Sequence, residues 1–246
     1  MSHHFLEVRD LWVAYPDGTE ALRGLSFRLE HGEAVGLVGA NGAGKSTTLL
    51  ALAGLINPCR GSVNLGGTVL SKQTVGEIRR RIGFLFQDPD DQLFMPTVFD
   101  DVAFGPLNQG LTAEEVEERV RTALEQVGAR HLAERPAHRL SGGEKRSVAI
   151  ATVLSMIPDV LIMDEPSASL DPRGRRLLIG LLKSFTHTRL VATHDLDLVL
   201  EVCPRTIVLS GGRVEADGET ARIFQDRTLL ERCGLEPPLC LQGMPR

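Results

Sequence analysis

Gly39-Ala40-Asn41-Gly42-Ala43-Gly44-Lys45-Ser46 follows the apolar run Ala34–Val38 and precedes Thr47 and a helix-like stretch, Thr48–Leu55. The octet fits G-x-x-x-x-G-K-[ST], a loop between a strand and a helix that wraps phosphate. Glycines let backbone N–H groups curl around phosphate oxygens without Cβ clashes. The helix that begins near Lys45 turns the positive end of its dipole toward the same anion. Lys45 is then the counter-charge for β- and γ-phosphates, and the Ser46 hydroxyl is placed to ligate Mg²⁺. Ala34–Val38 lacks alternation, as expected of a strand buried on both faces.

Working outward, short β-like runs occupy Leu6–Val13, Leu25–Leu29 and Ser62–Leu65, punctuated by turns such as Tyr15-Pro16-Asp17-Gly18. Thr112–Val127 reads as an amphipathic helix with Val116, Val120, Leu124 and Val127 on one stripe. Thr112 and Glu115 form a capping-box pattern at its start, and Gly128 is its stop. Another helix is predicted after Ser141, through Val148–Leu154. Apolar strands return at Val160–Met163, Leu190–Ala192 and Thr206–Leu209. This alternation predicts an α/β fold with a mainly parallel sheet, interrupted by a helical insert from about Asp88 to Ser155.

The bulk properties narrow the function classes. The chain has 246 residues, 42% hydrophobic and 24% charged, which is ordinary for a soluble globular protein. A net charge of −5 argues against a sequence-independent grip on nucleic acid. Cys59, Cys203, Cys233 and Cys240 form no CxxC pair and read as reduced thiols. The start, MSHHFLEV, lacks a signal-peptide pattern, and the His3–His4 pair reads as a solvated terminus. No apolar run approaches the ~18 residues of a membrane helix, so any pore would belong to another chain.

Two further motifs carry chemistry. Val160–Met163 delivers Asp164 and Glu165 beside the phosphate loop: Asp164 to hold Mg²⁺ through water, Glu165 to accept a proton from an attacking water. Leu140-Ser141-Gly142-Gly143-Glu144-Lys145-Arg146 offers exposed N–H groups and a serine hydroxyl suited to a γ-phosphate. Ser141-x-x-Glu144 is equally an ordinary capping box, and alone the motif does not choose between the two. Together with Gly39–Ser46 and Asp164-Glu165, this arrangement resembles the signature motif of ABC ATPases.

The resemblance covers nearly the whole chain and implies the rest of the site. It implies a P-loop (RecA-like) core at 1–87 and 156–246 with a small antiparallel β subdomain, and an inserted helical subdomain at 88–155, in one domain. Tyr15 stands where an aromatic stacks on adenine; Gly39, Asn41, Gly42, Gly44, Lys45, Ser46 and Thr47 hold ATP. Gln87 matches the glutamine that senses Mg²⁺, the γ-phosphate and the transport partner. Ser141, Gly142 and Gly143 act on the ATP of a second ATPase subunit, identical or related. Ser167–Asp171 resembles the D-loop, with Asp171 linking the two sites, and His194 matches the switch histidine. Glu144 stands where glutamine is usual, and Ser169 where glycine is usual.

The stretch Phe86-Gln87-Asp88-Pro89-Asp90-Asp91-Gln92-Leu93-Phe94, its continuation Thr97–Asn108 and the tail Cys233–Pro238 are similar to ATPases of energy-coupling-factor importers, particularly the cobalt/nickel type. That implies a peripheral subunit at the cytoplasmic face of the membrane, beneath scaffold and substrate-binding membrane proteins. An exporter motor would share the same ATP site. A soluble repair protein would need a long coiled coil between Gln87 and Ser141, and translation factors usually carry two cassettes. No residue here identifies the cargo.

Overall fold

In the computed structural model of the chain, residues 6–242 are described; His3 and His4 lie outside them. Among the described residues, ten strands form two sheets. β1 (Leu6–Ala14), β2 (Glu20–Leu29), β4 (Arg60–Leu65) and β5 (Thr68–Val69) make an antiparallel sheet in the order β2-β1-β4-β5. β3 (Ala34–Val38), β6 (Ile82–Leu85), β7 (Val160–Asp164), β8 (Thr188–Ala192), β9 (Arg205–Ser210) and β10 (Arg213–Glu219) make the second, in the order β10-β9-β3-β8-β7-β6. Its strands run parallel apart from β10, which pairs antiparallel at the edge. The expected α/β class with a mainly parallel sheet and a small antiparallel one is what the chain adopts.

Every residue of β3, β7 and β8 is buried, which is why Ala34–Val38, Val160–Met163 and Leu190–Ala192 read without alternation; Thr188, Arg189 and Asp164 are polar residues buried with them. Their two faces nevertheless serve different cores. Val35, Leu37, Val160, Ile162, Leu190 and Ala192 pack toward the antiparallel sheet. Leu161, Met163 and Val191 pack into the opposite core, formed largely by helices. The parallel sheet is thus the middle layer, and the period of two is hidden because both faces are dry.

The helices are α1 (Lys45–Leu52), α2 (Val75–Arg81), α3 (Val98–Asn108), α4 (Ala113–Gln126), α5 (Gly142–Leu154), α6 (Pro172–Ser184), α7 (Leu196–Val202), α8 (Thr220–Gln225) and α9 (Arg227–Arg232). α4 follows its sequence reading closely. Val116, Val120 and Leu124 are buried, and Thr112 and Glu115 form both arms of the capping box. Gly128, at φ +69°, turns the chain out of the helix.

The largest differences from the expected boundaries fall at β2 and α1. β2 begins at Glu20 instead of Leu25, because Tyr15–Thr19 is a hairpin turn: Tyr15 N–H donates to Thr19 O, and Gly18 N–H to Tyr15 O, both at 2.9 Å. α1 begins at Lys45 and ends at Leu52, against an expected 48–55. Its start is set by Gly44, whose φ of +104° is open to glycine and strained for other residues.

Candidate active site

The loop from Gly39 to Gly44 joins the buried end of β3 to the first turn of α1. At Gly44 the backbone is left-handed, and an added Cβ would lie 2.9 Å from Leu22 Cδ2 and 3.0 Å from Ala21 O. No side chain caps α1, so the N–H groups of its first turn remain available to an anion. Lys45 folds back over the loop, its Nζ donating to Gly39 O at 2.7 Å and Ala40 O at 3.2 Å. Burial pushes its ammonium below the ordinary lysine value, against the opposing pull of Glu165 and Asp164.

A cavity of about 550 Å³ opens over this loop. Tyr15, Asn41, Gly42, Gly44, Lys45, Ser46, Thr47, Gln87, Asp164 and Glu165 all line it. Its size suits a nucleotide. Tyr15 presents its ring at the mouth, 38% exposed, and its hydroxyl shares a 2.8 Å hydrogen bond with Thr47 Oγ1. Glu20, Arg23 and Gly211-Gly212 also line the cavity, and no motif pointed to them.

Asp164 is the last residue of β7 and only 5% exposed. Its Oδ1 is buried with no hydrogen-bond partner among the described residues. Burial raises its pKa above the ordinary carboxylate range, while a hydrogen bond from the Ser46 side chain pulls the other way. An orphaned buried carboxylate oxygen is costly unless something satisfies it. With the Ser46 hydroxyl and the Gln87 side chain on the same cavity, the donor set is all hard oxygen, which fits Mg²⁺.

Glu165, the next residue, leaves the strand at φ +47°, a strained value for a non-glycine residue. Three donors converge on its carboxylate. Thr193 Oγ1 donates to Oε2 at 2.7 Å, His194 N–H donates to Oε1 at 3.1 Å, and His194 Nδ1 stands 2.9 Å from Oε1. Thr193 follows β8 and is fully buried; its role depended on this contact and was not foreseen. The His194 side chain itself is 73% exposed, facing away from the core.

Ser141 and Gly143 line a different cleft, of about 430 Å³, with His131, Glu144, Ser169, Asp171 and Arg173. It shares no lining residue with the first cavity. Gly142 sits beside it, an added Cβ lying 3.8 Å from Ser169 Cβ. Ser169 adopts φ +64°, the left-handed backbone that glycine takes most readily. Asp171 caps α6, its Oδ1 accepting from Gly174 N at 2.6 Å. The site residues expected from sequence therefore fall into two groups that one chain does not bring together.

Arg146 ties the groups through the interior. Only 1% exposed, it donates Nη1 to Phe86 O at 2.7 Å, Nη2 to Gln87 O and Nε to Ala168 O at 3.4 Å. One guanidinium thus joins α5 to the segment carrying Gln87 and to the loop after Glu165. Gln92 makes a parallel tie: its Oε1 accepts from Phe86 N at 3.1 Å and its Nε2 donates to Ala149 O at 2.8 Å. Replacing Arg146 with Ala strands three carbonyls and leaves a cavity. Chemical denaturation is expected to show a loss of about 3 kcal/mol or more.

Comparison with known proteins places the chain among them. The ABC transporter family profile matches residues 22–168. A putative ABC transporter ATP-binding protein of Geobacter sulfurreducens is 63% identical, covering 100% of this chain and 98% of the relative. The energy-coupling factor transporter ATP-binding protein EcfA of Methanosphaera stadtmanae is 46% identical over 95% of this chain and 86% of its own length. Among solved structures, cbiO1 of Clostridium perfringens, described as part of the ABC transporter complex cbiONQ, superposes with a TM-score of 0.80. It is 38% identical and is covered, like this chain, over 94% of its length.

Proposed function

The chain belongs to the ABC transporter family, as an ABC-type ATPase and the ATP-binding subunit of an energy-coupling-factor-type transporter, and we propose how its residues carry out that work. ATP occupies the cavity over Gly39–Thr47 with its base against Tyr15. Its phosphates draw Lys45 Nζ away from the Gly39 and Ala40 carbonyls, and the N–H groups of the loop and of α1 take the remaining oxygens. Ser46, Gln87 and Asp164 would hold Mg²⁺, which would neutralise phosphate charge there. Glu165 orients and deprotonates the attacking water, and His194 releases its Nδ1 contact to Glu165 to meet the γ-phosphate.

The observation that carries this reading is the orphaned Asp164 oxygen beside Ser46, one residue from a carboxylate held by Thr193 and His194. The separation of the Ser141 cleft from the Lys45 cavity supports a second step. Two ATPase subunits pair head to tail, identical or related, so that Ser141, Gly142 and Gly143 of one close over ATP held by the other. Asp171 stands in the signature cleft, where it links the two sites.

We assign residues 88–155 as the arm that answers to membrane subunits. Within it Phe94 and Phe104 are exposed and stack edge to face with centroids 5.1 Å apart. Asp101 Oδ1, on α3, holds the loop before that helix by accepting from Phe94 N and Met95 N, each at 2.9 Å. No helix of the described residues is long and apolar enough to cross a membrane. The subunit then works peripherally at the cytoplasmic face, beneath a scaffold and a substrate-binding membrane protein, with cobalt or nickel as cargo. The likeness to cbiO1 and EcfA, and the block from Phe86 to Asn108 that first suggested it, support this reading. Cells supplying those membrane subunits should accumulate radiolabelled cobalt or nickel only with an intact copy of this chain. Uptake that is indifferent to a Phe94→Ala/Phe104→Ala double substitution would remove the aromatic pair from the docking face.

A further inference from the structure

Glu144 stands at the third position of α5, and its contacts involve the same hydroxyl that the signature motif needs. Ser141 Oγ donates to Glu144 Oε2 at 2.8 Å, Ser141 N–H donates to the same oxygen at 2.8 Å, and Glu144 N–H donates to Ser141 Oγ at 3.3 Å. A serine hydroxyl has one proton. While that proton points at Glu144 it cannot point at a phosphate oxygen.

The competition is uneven because Glu144 is a carboxylate. An ionised acceptor holds a hydroxyl more strongly than the neutral amide oxygen of a glutamine would. The Ser141 backbone and hydroxyl donors hold the Glu144 carboxyl below its ordinary range, with weaker help from Arg135 and His131, so it stays charged at neutral pH. Glu144 makes no ion pair among the described residues. The cations that share its cleft are Arg173 and, when protonated, His131. A γ-phosphate brought to Ser141 therefore meets a like charge and a hydroxyl already engaged.

We infer that Glu144 is a positioning residue that withholds the Ser141 hydroxyl and raises the ATP concentration at which the two subunits close. The inference rests on the composite-site reading above. Glutamine at this position keeps the reciprocal cap, since its side-chain oxygen accepts the same two bonds. It removes only the charge. Glu144→Gln therefore separates a timing role from an architectural one.

The test uses the assembled transporter with Glu165→Gln in this chain and, where the paired ATPase is a different chain, with the partner's matching glutamate replaced as well, so that the ATP facing Ser141 is not hydrolysed. ATP retained after rapid desalting is measured against ATP concentration, at low and high salt. Adding Glu144→Gln should lower the half-saturating ATP concentration roughly two- to tenfold at low salt, an effect that shrinks as salt screens the repulsion. Glu144→Ala should lower it too while reducing thermal stability, because the cap is lost with the charge. An unchanged or raised midpoint for Glu144→Gln, in a complex where Ser141→Arg abolishes retention, overturns the inference and leaves the composite site standing. Retention unaffected by Ser141→Arg would overturn the composite site, and this inference with it.

Discussion

Glu165→Gln is expected to bind ATP as tightly as the unaltered chain and to hydrolyse it about 10²–10⁴-fold more slowly. With its amide oxygen at the Oε2 position, glutamine still accepts from Thr193 Oγ1 at 2.7 Å and from His194 N–H at 3.4 Å, so the strained turn at Glu165 keeps anchors. What disappears is the group that accepts a proton from water. Lys45, Ser46 and Asp164 are untouched, and nucleotide still closes the pair. Closure without hydrolysis leaves nothing to separate the subunits, so a long-lived ATP-bound dimer should accumulate and be visible by size-exclusion chromatography. Near-normal steady-state turnover would take Glu165 out of the chemistry and leave it a structural anchor for the loop at His194.

The residues that expectation reached and those it missed differ in how far their information travels along the chain. β3 and the apolar parts of β7 and β8 were legible because burial on both faces removes the alternation, whereas Thr188 and Arg189 at the start of β8 were not read as strand. α4 was legible because one stripe and one capping box are local patterns. The phosphate loop was legible because its glycines answer to backbone geometry within eight residues. By contrast, α3 carries Pro106 and a mixed surface, and its apolar residues read only as part of a helical insert. The start of β2 was obscured because its first residues are exposed or half-buried.

Arg146 and Thr193 were beyond local reading altogether. The Arg146 guanidinium answers to carbonyls 60, 59 and 22 residues away, and Thr193 to a carboxylate 28 residues away. Nothing in LSGGEKR or in the strand before His194 encodes those distances. Ser169 is the opposite case. The serine where the resemblance implied glycine was visible in the sequence, but only the backbone reveals that it takes a left-handed turn. Such a position costs a non-glycine residue of order 1 kcal/mol or more, so the surrounding loop must hold it. Ser167 helps hold that loop, its hydroxyl donating to Asp195 Oδ2 at 3.2 Å.

Mixing two inactive chains should restore hydrolysis, and this is the sharpest consequence of finding Lys45 and Ser141 on separate clefts. Lys45→Ala empties the phosphate cavity of its counter-charge, while Ser141→Arg fills the cleft that must receive a partner's γ-phosphate. A dimer of either chain with itself carries a lesion in both sites. A mixed dimer gathers both lesions into one site and leaves the other with an intact Lys45 from one chain and an intact Ser141 from the other. If two copies pair at random and the sites act independently, equal mixing regenerates about a quarter of all sites, and activity falls symmetrically toward either pure chain. If the natural partner is a related ATPase, one lesion goes on each chain, and the arrangement that puts both in one site should retain turnover. A site built within one chain predicts something different: each lesion disables its own subunit whatever the partner, and activity stays at background across the whole titration. The shape of that curve depends only on which residues share a phosphate, so it reads the geometry of the assembled site directly.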